Sequence, residues 1–382
     1  MYRFIFILFM VIAGCTNQAQ ERSTEILLGA YQLEEYLPLL TGKQVGLSVN
    51  HSSLIGQTHL TDSLISLGIS VKKVFTPEHG FTGTVSDGVN IEYDSSLSSY
   101  ELVSLYGKNK KPTPEQLSGI EIMVFDIQDV GARFYTYAST MQFVMEACAE
   151  SGIPIIILDR PNPNGSYVDG PVLDTALRSF VGLNPIPIVH GMTIGELAQM
   201  INGEGWLANG IQTELQVIKM KNWDHGMTYS LPVKPSPNLP DDLSISLYPS
   251  LCLFEGTIMS VGRGTDYAFQ QIGHPEYPDT TYSFTPISKE GAKWPPYEDV
   301  VCYGLSWTGS QPQYRLTLQP LIQAYKEMNR DDFFNNYFKR LAGTNSLQKQ
   351  IEEGLSEDEI RSSWEPALSN FKMKREQYLL YQ

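Results

Sequence analysis

The sequence predicts an α/β fold: a Rossmann-like N-terminal domain with a mainly parallel sheet, followed by a smaller α+β C-terminal domain. Three observations carry this expectation. Strand-like runs at Gln44–Val49, Val71–Phe75, Ile120–Phe125 and Pro154–Leu158 are separated by segments of helical spacing, the pattern of parallel strands joined by helical crossovers. The third run is apolar almost without a break, as a strand covered on both faces must be. Finally, 382 residues are long for one hydrophobic core, and Leu231–Pro240 places four prolines in ten residues, the mark of a rigid crossing between domains.

Taken in order, Ser23–Leu37 has helical spacing through Leu27, Leu28, Tyr31, Leu33, Tyr36 and Leu37, and Pro38 marks its expected end. Gln44–Val49 is the first strand and runs into Asn50-His51-Ser52-Ser53. Leu60–Leu67 reads as a helix, Val71–Phe75 as the second strand, and Glu101–Leu105 as the start of a short helix. The strand at Ile120 is followed by an amphipathic helix at Ala138–Ser151 and a strand at Pro154–Leu158. Thr193 is placed to cap a helix through Ile201, and Leu215–Met220 reads as a strand. Beyond the prolines, Leu253–Thr257 and Val261–Thr265 open a mixed α+β stretch. The end is helical at Pro320–Met328, Asp331–Leu341 and from Ile351 to Tyr381, with an N-cap at Ser356 and a break near Pro366. These assignments give a Rossmann-like domain over 25–230 and an α+β domain over 231–382.

The first fifteen residues give an address. Arg3 is followed by an apolar run, Phe4 to Ile12, too short to span a bilayer. Ile12-Ala13-Gly14-Cys15 then resembles a bacterial lipobox, the alternative being a plain secretory signal with an incidental cysteine. Residues 1–15 thus read as a lipoprotein signal ending at the lipidated Cys15, and 16–24 as a polar tether. The expectation is an exported protein held by lipid to a bacterial membrane, on its periplasmic side or at the cell surface. Cys148, Cys252 and Cys302 lie far apart among apolar neighbours and read as buried free thiols. A net charge of −15 excludes nucleic acid as a partner.

The chemistry lies at strand ends. Val71–Phe75 runs into Thr76-Pro77-Glu78-His79-Gly80, Ile120–Phe125 into Asp126-Ile127-Gln128-Asp129, and Pro154–Leu158 into Asp159-Arg160-Pro161-Asn162. Open parallel sheets bind ligands outside the carboxyl ends of their strands, so the three clusters should meet at one rim. No G-x-G-x-x-G follows the first strand and no G-x-x-x-x-G-K-[ST] exists, which excludes a dinucleotide enzyme or P-loop protein. The six histidines show no H-E-x-x-H or H-x-H spacing, and no G-x-S-x-G is present; neither a cofactor nor a metal is expected. Carboxylate chemistry remains. Glu78, Asp126, Asp129, Asp159, Glu196 and Glu255 all lie in loops or near element ends. Glycoside hydrolysis uses one carboxyl to protonate the leaving oxygen and usually a second to activate water or attack.

Several ordered motifs sharpen this. Pro77-Glu78-His79-Gly80, the run from Asp126 to Tyr137, Asp159-Arg160-Pro161-Asn162-Pro163, His190-Gly191-Met192-Thr193 and Pro237-Asn238-Leu239-Pro240 together resemble the exo-β-N-acetylmuramidase (NamZ-like) family over roughly residues 25–382. The resemblance implies release of terminal N-acetylmuramic acid from the non-reducing end of peptidoglycan fragments. It also implies a site in the cleft between the two domains, with the proposed catalytic glutamate at Glu78. The residues themselves suggest Asp126 or Asp129 as the partner of Glu78. A sugar pocket is expected from His79, Arg133, Tyr135, Tyr137, Arg160, Asn162, His190, Asn238, Glu255 and Arg263. A lipoprotein that binds muropeptides without cleaving them would use the same aromatics and arginines and stands as the alternative.

Overall fold

The computed structural model describes residues 25–78, 80–81 and 99–382; the lipobox with Cys15, the tether and His79 lie outside them. Strand β1 (Gln44–Val49) is followed by a small hairpin, β2 (Leu54–Ile55) and β3 (Thr58–His59), and then by β4 (Ser70–Thr76) and β5 (Glu101–Ser104). The strands β6 (Ile122–Asp126), β7 (Ile155–Leu158) and β8 (Leu215–Ile218) complete a six-stranded sheet of order β5-β4-β1-β6-β7-β8. Every pairing in it is parallel. Setting the hairpin aside, this is the Rossmann order 3-2-1-4-5-6, with its switch point between β1 and β6.

Side chains along β6 alternate between two apolar layers, as a two-residue period demands. Met123 and Phe125 pack with Met141, Val144 and Cys148 of helix α4 (Tyr137–Ser151). Ile122 and Val124 pack instead with residues of α1 (Leu33–Leu40) and α2 (Leu60–Ser66). All five residues of β6 are buried, and each fully buried large apolar side chain contributes about 1.5–3 kcal/mol relative to exposure. Two more helices, α3 (Pro114–Leu117) and α5 (Ile194–Gly203), belong to this domain, and Thr193 with Glu196 forms a capping box on α5.

The smaller C-terminal domain holds α6 (Asp242–Leu251) and an antiparallel sheet of order β10-β11-β9, built from β9 (Gln271–His274), β10 (Ser283–Phe284) and β11 (Cys302–Ser306). It ends in α7 (Gln319–Met328), α8 (Phe338–Ala342), α9 (Ser346–Glu352) and α10 (Glu357–Arg375). Phe254, Phe269, Phe333 and Phe338 are fully buried and continue the α4 layer without a gap. Cys148, Cys252 and Cys302 are buried free thiols, as expected. Among the described residues no helix is long and apolar enough to cross a membrane.

Several expected elements differ. Glu101–Leu105 forms an edge strand, not a helix: β5 pairs with β4 from Lys73↔Glu101 to Thr76↔Ser104, and tertiary pairing overrides a helix-favouring composition. The first helix starts ten residues late because the chain before it crosses the ends of β7 and β8. Gly29 donates its N–H to the Asp159 carbonyl at 3.0 Å. A Cβ there would lie 2.5 Å from Asp159 N and Ile218 O, so only glycine passes. Pro38 sits inside α1, where fully buried Tyr36 and Leu40 carry the helix past it. Of Asp331–Leu341 only the final residues are helical, and α10 runs through Pro366 on its exposed side, where solvent can bond the carbonyl that proline leaves unpaired. Ser356 caps α10 with Glu359, as its spacing predicts. Helix α6 was not foreseen, since Pro249 lies within it.

Candidate active site

The cleft grows from the carboxyl edge of the sheet. Glu78 stands two residues beyond β4, and its Oε2 accepts a hydrogen bond at 3.0 Å from Oγ1 of Thr136, the residue immediately before α4. The Tyr137 hydroxyl donates to the Glu78 carbonyl at 3.4 Å. The proline-rich crossing passes over this point as a strap: the Tyr135 hydroxyl donates to the Pro235 carbonyl at 2.7 Å, and the single Tyr137 O–H is shared between that carbonyl, at 3.5 Å, and the Glu78 carbonyl. The C-terminal domain supplies the opposite wall through Tyr248, Glu255, Arg263, Phe269, Tyr337 and Arg340. Between them lies a cavity of about 610 Å³, within the usual range for a small-molecule site.

Its chemistry is phenolic and carboxylate. The Tyr135 ring meets those of Tyr137 and Tyr248 edge-on, with centroids 4.8 and 5.9 Å apart. Burial pushes the Tyr135 and Tyr248 hydroxyls well above the ordinary phenol range, so both remain neutral donors. Glu255 accepts from Arg263 Nε at 2.6 Å, and that guanidinium lies 5.1 Å from the Phe269 ring centre. Burial raises the Tyr337 hydroxyl too, and Cys252, Glu255 and Glu78 add to it. Lys110, 4.3 Å from the Phe180 ring centre, and Arg340 also line the cavity, and among the described residues neither has a carboxylate partner.

Six of the expected site residues therefore meet in one cavity: Glu78, Tyr135, Tyr137, Asn238, Glu255 and Arg263. Six others do not. Asp126 is fully buried and bonded to Arg160 through two contacts, Nε–Oδ1 at 2.5 Å and Nη2–Oδ2 at 2.8 Å. The pair locks β6 to the loop after β7 and keeps both groups from the cleft. Asp129 is buried behind the tyrosines, with Oδ2 accepting from Gly131 N at 2.7 Å and Oδ1 unpartnered. Arg133 points away from the cleft and donates to three carbonyls, those of Pro171, Ile186 and Leu341. Asn162 spans Met192 O and Asn164 N under Gly131, where a Cβ would lie 2.1 Å from its Oδ1. Buried His190 accepts from Met192 N. Burial, helped by Arg375 and Arg133, drops its pKa to about 3, so it stays neutral. Asp159 and Glu196 are likewise structural: Asp159 takes hydrogen bonds from Thr193, Gly195 and Tyr381, and Glu196 takes one from Leu380 N and contacts His225 Nε2 at 3.0 Å. Among the described residues no three His, Cys, Asp or Glu side chains gather as a metal site.

Burial pushes the Asp129 carboxyl up to about 7. Such a group binds its proton more tightly folded than unfolded, so its stabilisation is complete below about pH 4 and is lost as pH rises through about 7. Asp129→Asn keeps an acceptor for Gly131 and removes the titration. The variant should gain on wild type by at most about 1.4 kcal/mol per pH unit across that window. Thermal midpoints of both proteins from pH 4 to 8 check this, and a constant difference would refute it.

Two family models cover this chain: the N-terminal part of exo-β-N-acetylmuramidase NamZ matches residues 45–243, and the C-terminal part matches 246–381. The chain belongs to the NamZ exo-β-N-acetylmuramidase family. The peptidoglycan β-N-acetylmuramidase NamZ of Bacillus subtilis (strain 168) is 38% identical over 91% of this chain and 89% of that protein. Two solved structures of DUF1343-family proteins from Bacteroides fragilis NCTC 9343 share the fold. One is 45% identical, over 94% of this chain and 99% of the other, with a TM-score of 0.87. The second is 26% identical, over 94% and 100%, with a TM-score of 0.80. The cleft described above draws on both matched parts of the chain, which explains why sequence reading found only half of it. Thr136, Tyr248, Phe269, Tyr337 and Arg340 were missed. Thr136 alone carried a signal, lying between two aromatic candidates at the start of a helix.

Proposed function

We propose that this chain is an exo-acting glycoside hydrolase that releases terminal N-acetylmuramic acid from the non-reducing end of peptidoglycan fragments, in cell-wall turnover and recycling. The observation that carries this reading is the cleft itself: Glu78 and Glu255 line one tyrosine-walled cavity at the carboxyl edge of the sheet. Glu78 is the general acid. Thr136 bonds its Oε2, leaving Oε1 to deliver the proton to the glycosidic oxygen as the bond to the anomeric carbon breaks and water, assisted by the second carboxylate, takes the leaving group's place. Glu255, oriented by Arg263, is the second carboxylate and takes the place expected of Asp126 or Asp129. The neutral tyrosines bind sugar hydroxyls. Incubation with a chromogenic N-acetylmuramide tests the reading; binding without turnover would favour the muropeptide-binding alternative.

N-acetylmuramic acid carries a lactyl carboxylate, which a protein of net charge −15 repels at long range. Recognition therefore needs a local cation. Arg133 and Arg160 are consumed elsewhere, leaving Arg263, Lys110 and Arg340 at the cavity. Replacing the reader by glutamine should cut the preference for muramide over glucosaminide by about 1.5–3 kcal/mol. Single variants at the three positions, assayed on both sugars, decide this; an unchanged ratio in all three would place recognition elsewhere.

The address belongs to the same proposal and rests on Arg3, the apolar run and the lipobox. Cys15→Ser should leave activity intact and release the protein from membranes, because the acyl chains supply the attachment energy. An exported, processed variant that still sediments with membranes would contradict it.

A further inference from the structure

The strap that crosses the cleft has a second cavity on its other side. This one measures about 650 Å³ and shares Ser236 and Asn238 with the first, so a short piece of strap is the common wall. A third, of about 210 Å³, shares Val233 with the second, and the three form a row along Leu231–Pro240. The second cavity is lined by Lys234, Lys289, Asp266, Glu290, Thr265 and His51 among others, with Lys289 paired to Asp266. Its charges balance, so it is not built for an ion. It offers closely spaced donors and acceptors, the complement of hydroxyl and acetamido groups. The wall is fixed from both ends: Pro235 by the tyrosines, and Asn238 by a 2.9 Å bond to the Gly291 carbonyl. Three residues beyond Gly291, Trp294 is 70% exposed. Its neighbour Pro295 lies against Gly264, next to Thr265 of the cavity. Trp294 stands four residues along the chain from Glu290 of the lining, with Lys293 Nζ 4.9 Å from its ring centre, and its exposed indole offers a stacking face of the kind sugar rings use.

We propose that this second cavity holds the sugars beyond the first one on the leaving side of the scissile bond, so that the preferred substrate is a glycan chain of four or more units and not a free disaccharide. The inference rests on the hydrolase reading. An enzyme that takes the terminal sugar into the first cavity must lead the rest of the chain out of it, and the second cavity is the neighbour that shares Ser236 and Asn238 with the first. Contacts made there add binding energy remote from the reacting bond.

The test compares kcat/KM on a peptide-free disaccharide and tetrasaccharide, both with a non-reducing muramic end. Wild type should favour the tetrasaccharide about tenfold, equivalent to about 1.4 kcal/mol of added contact. Glu290→Trp, which obstructs the cavity, and Trp294→Ala, which removes the platform, should bring that ratio to about one while the disaccharide rate stays at the wild-type level and so reports an intact fold. Equal values for the two lengths in wild type, or variants that slow both substrates alike, would overturn the proposal. If wild type turned over neither substrate, the hydrolase reading would fall. The groove would fall with it only if calorimetry showed the tetrasaccharide binding no tighter than the disaccharide.

Discussion

Glu78→Gln is expected to lower turnover on a natural muramyl disaccharide by about 10²–10⁴-fold while leaving substrate binding close to wild type. The amide keeps the shape of the carboxyl and can still accept the Thr136 hydrogen bond that fixes the side chain, so the loss isolates the proton. The deficit should shrink on an aryl muramide whose phenolate leaves without protonation. Steady-state kinetics on the two substrates provide the check. Near-normal rates on the disaccharide would remove Glu78 from the mechanism, and equal losses on both would assign it to binding or positioning.

The second large effect concerns stability. Arg160→Met should destabilise the fold by about 3–5 kcal/mol, because it leaves the Asp126 carboxylate buried without its counter-charge. Adding Asp126→Leu should recover most of that loss, since well-packed apolar replacements for a buried ion pair are often neutral or better. Denaturant unfolding of wild type, the single variant and the double variant would show it. A single variant as stable as wild type would mean that the pair does not lock β6 to the loop after β7.

How much could be read from the chain follows from these two cases. The strands were legible because buried parallel strands write themselves as apolar runs, and the rim was legible because each run ended in polar residues. Which polar residue turns toward the cleft was not legible. Asp126 is the last residue of β6 and Glu78 lies two beyond β4, yet one is sealed by Arg160 and the other faces the cavity. Only the neighbouring strand's loop decides that, and sequence spacing holds no record of it. Tyr337 and Arg340 enter the cleft from α8 and the turn before it, far along the chain from Glu78, with no local pattern to announce them. The edge strand β5 was mistaken for a helix because its partner, not its composition, sets its conformation.

Arg133 has a further consequence, visible in how such a protein can diverge. Its guanidinium binds the carbonyls of Pro171 and Ile186 in one domain and of Leu341 in the other. Every residue type has a carbonyl, so positions 171, 186 and 341 are free to drift as far as this contact is concerned, while the arginine is not. The close approach of Gly343, where a Cβ would lie 2.4 Å from Arg133 Nη2 and the backbone is held at φ +74°, restricts a further site, and Gly182 packs tightly on the same side chain. Across relatives, this arginine should stand fixed beside partners that vary without compensating one another. Read from an alignment, it would look like a ligand-binding residue, although its work is to join the two walls of the cleft.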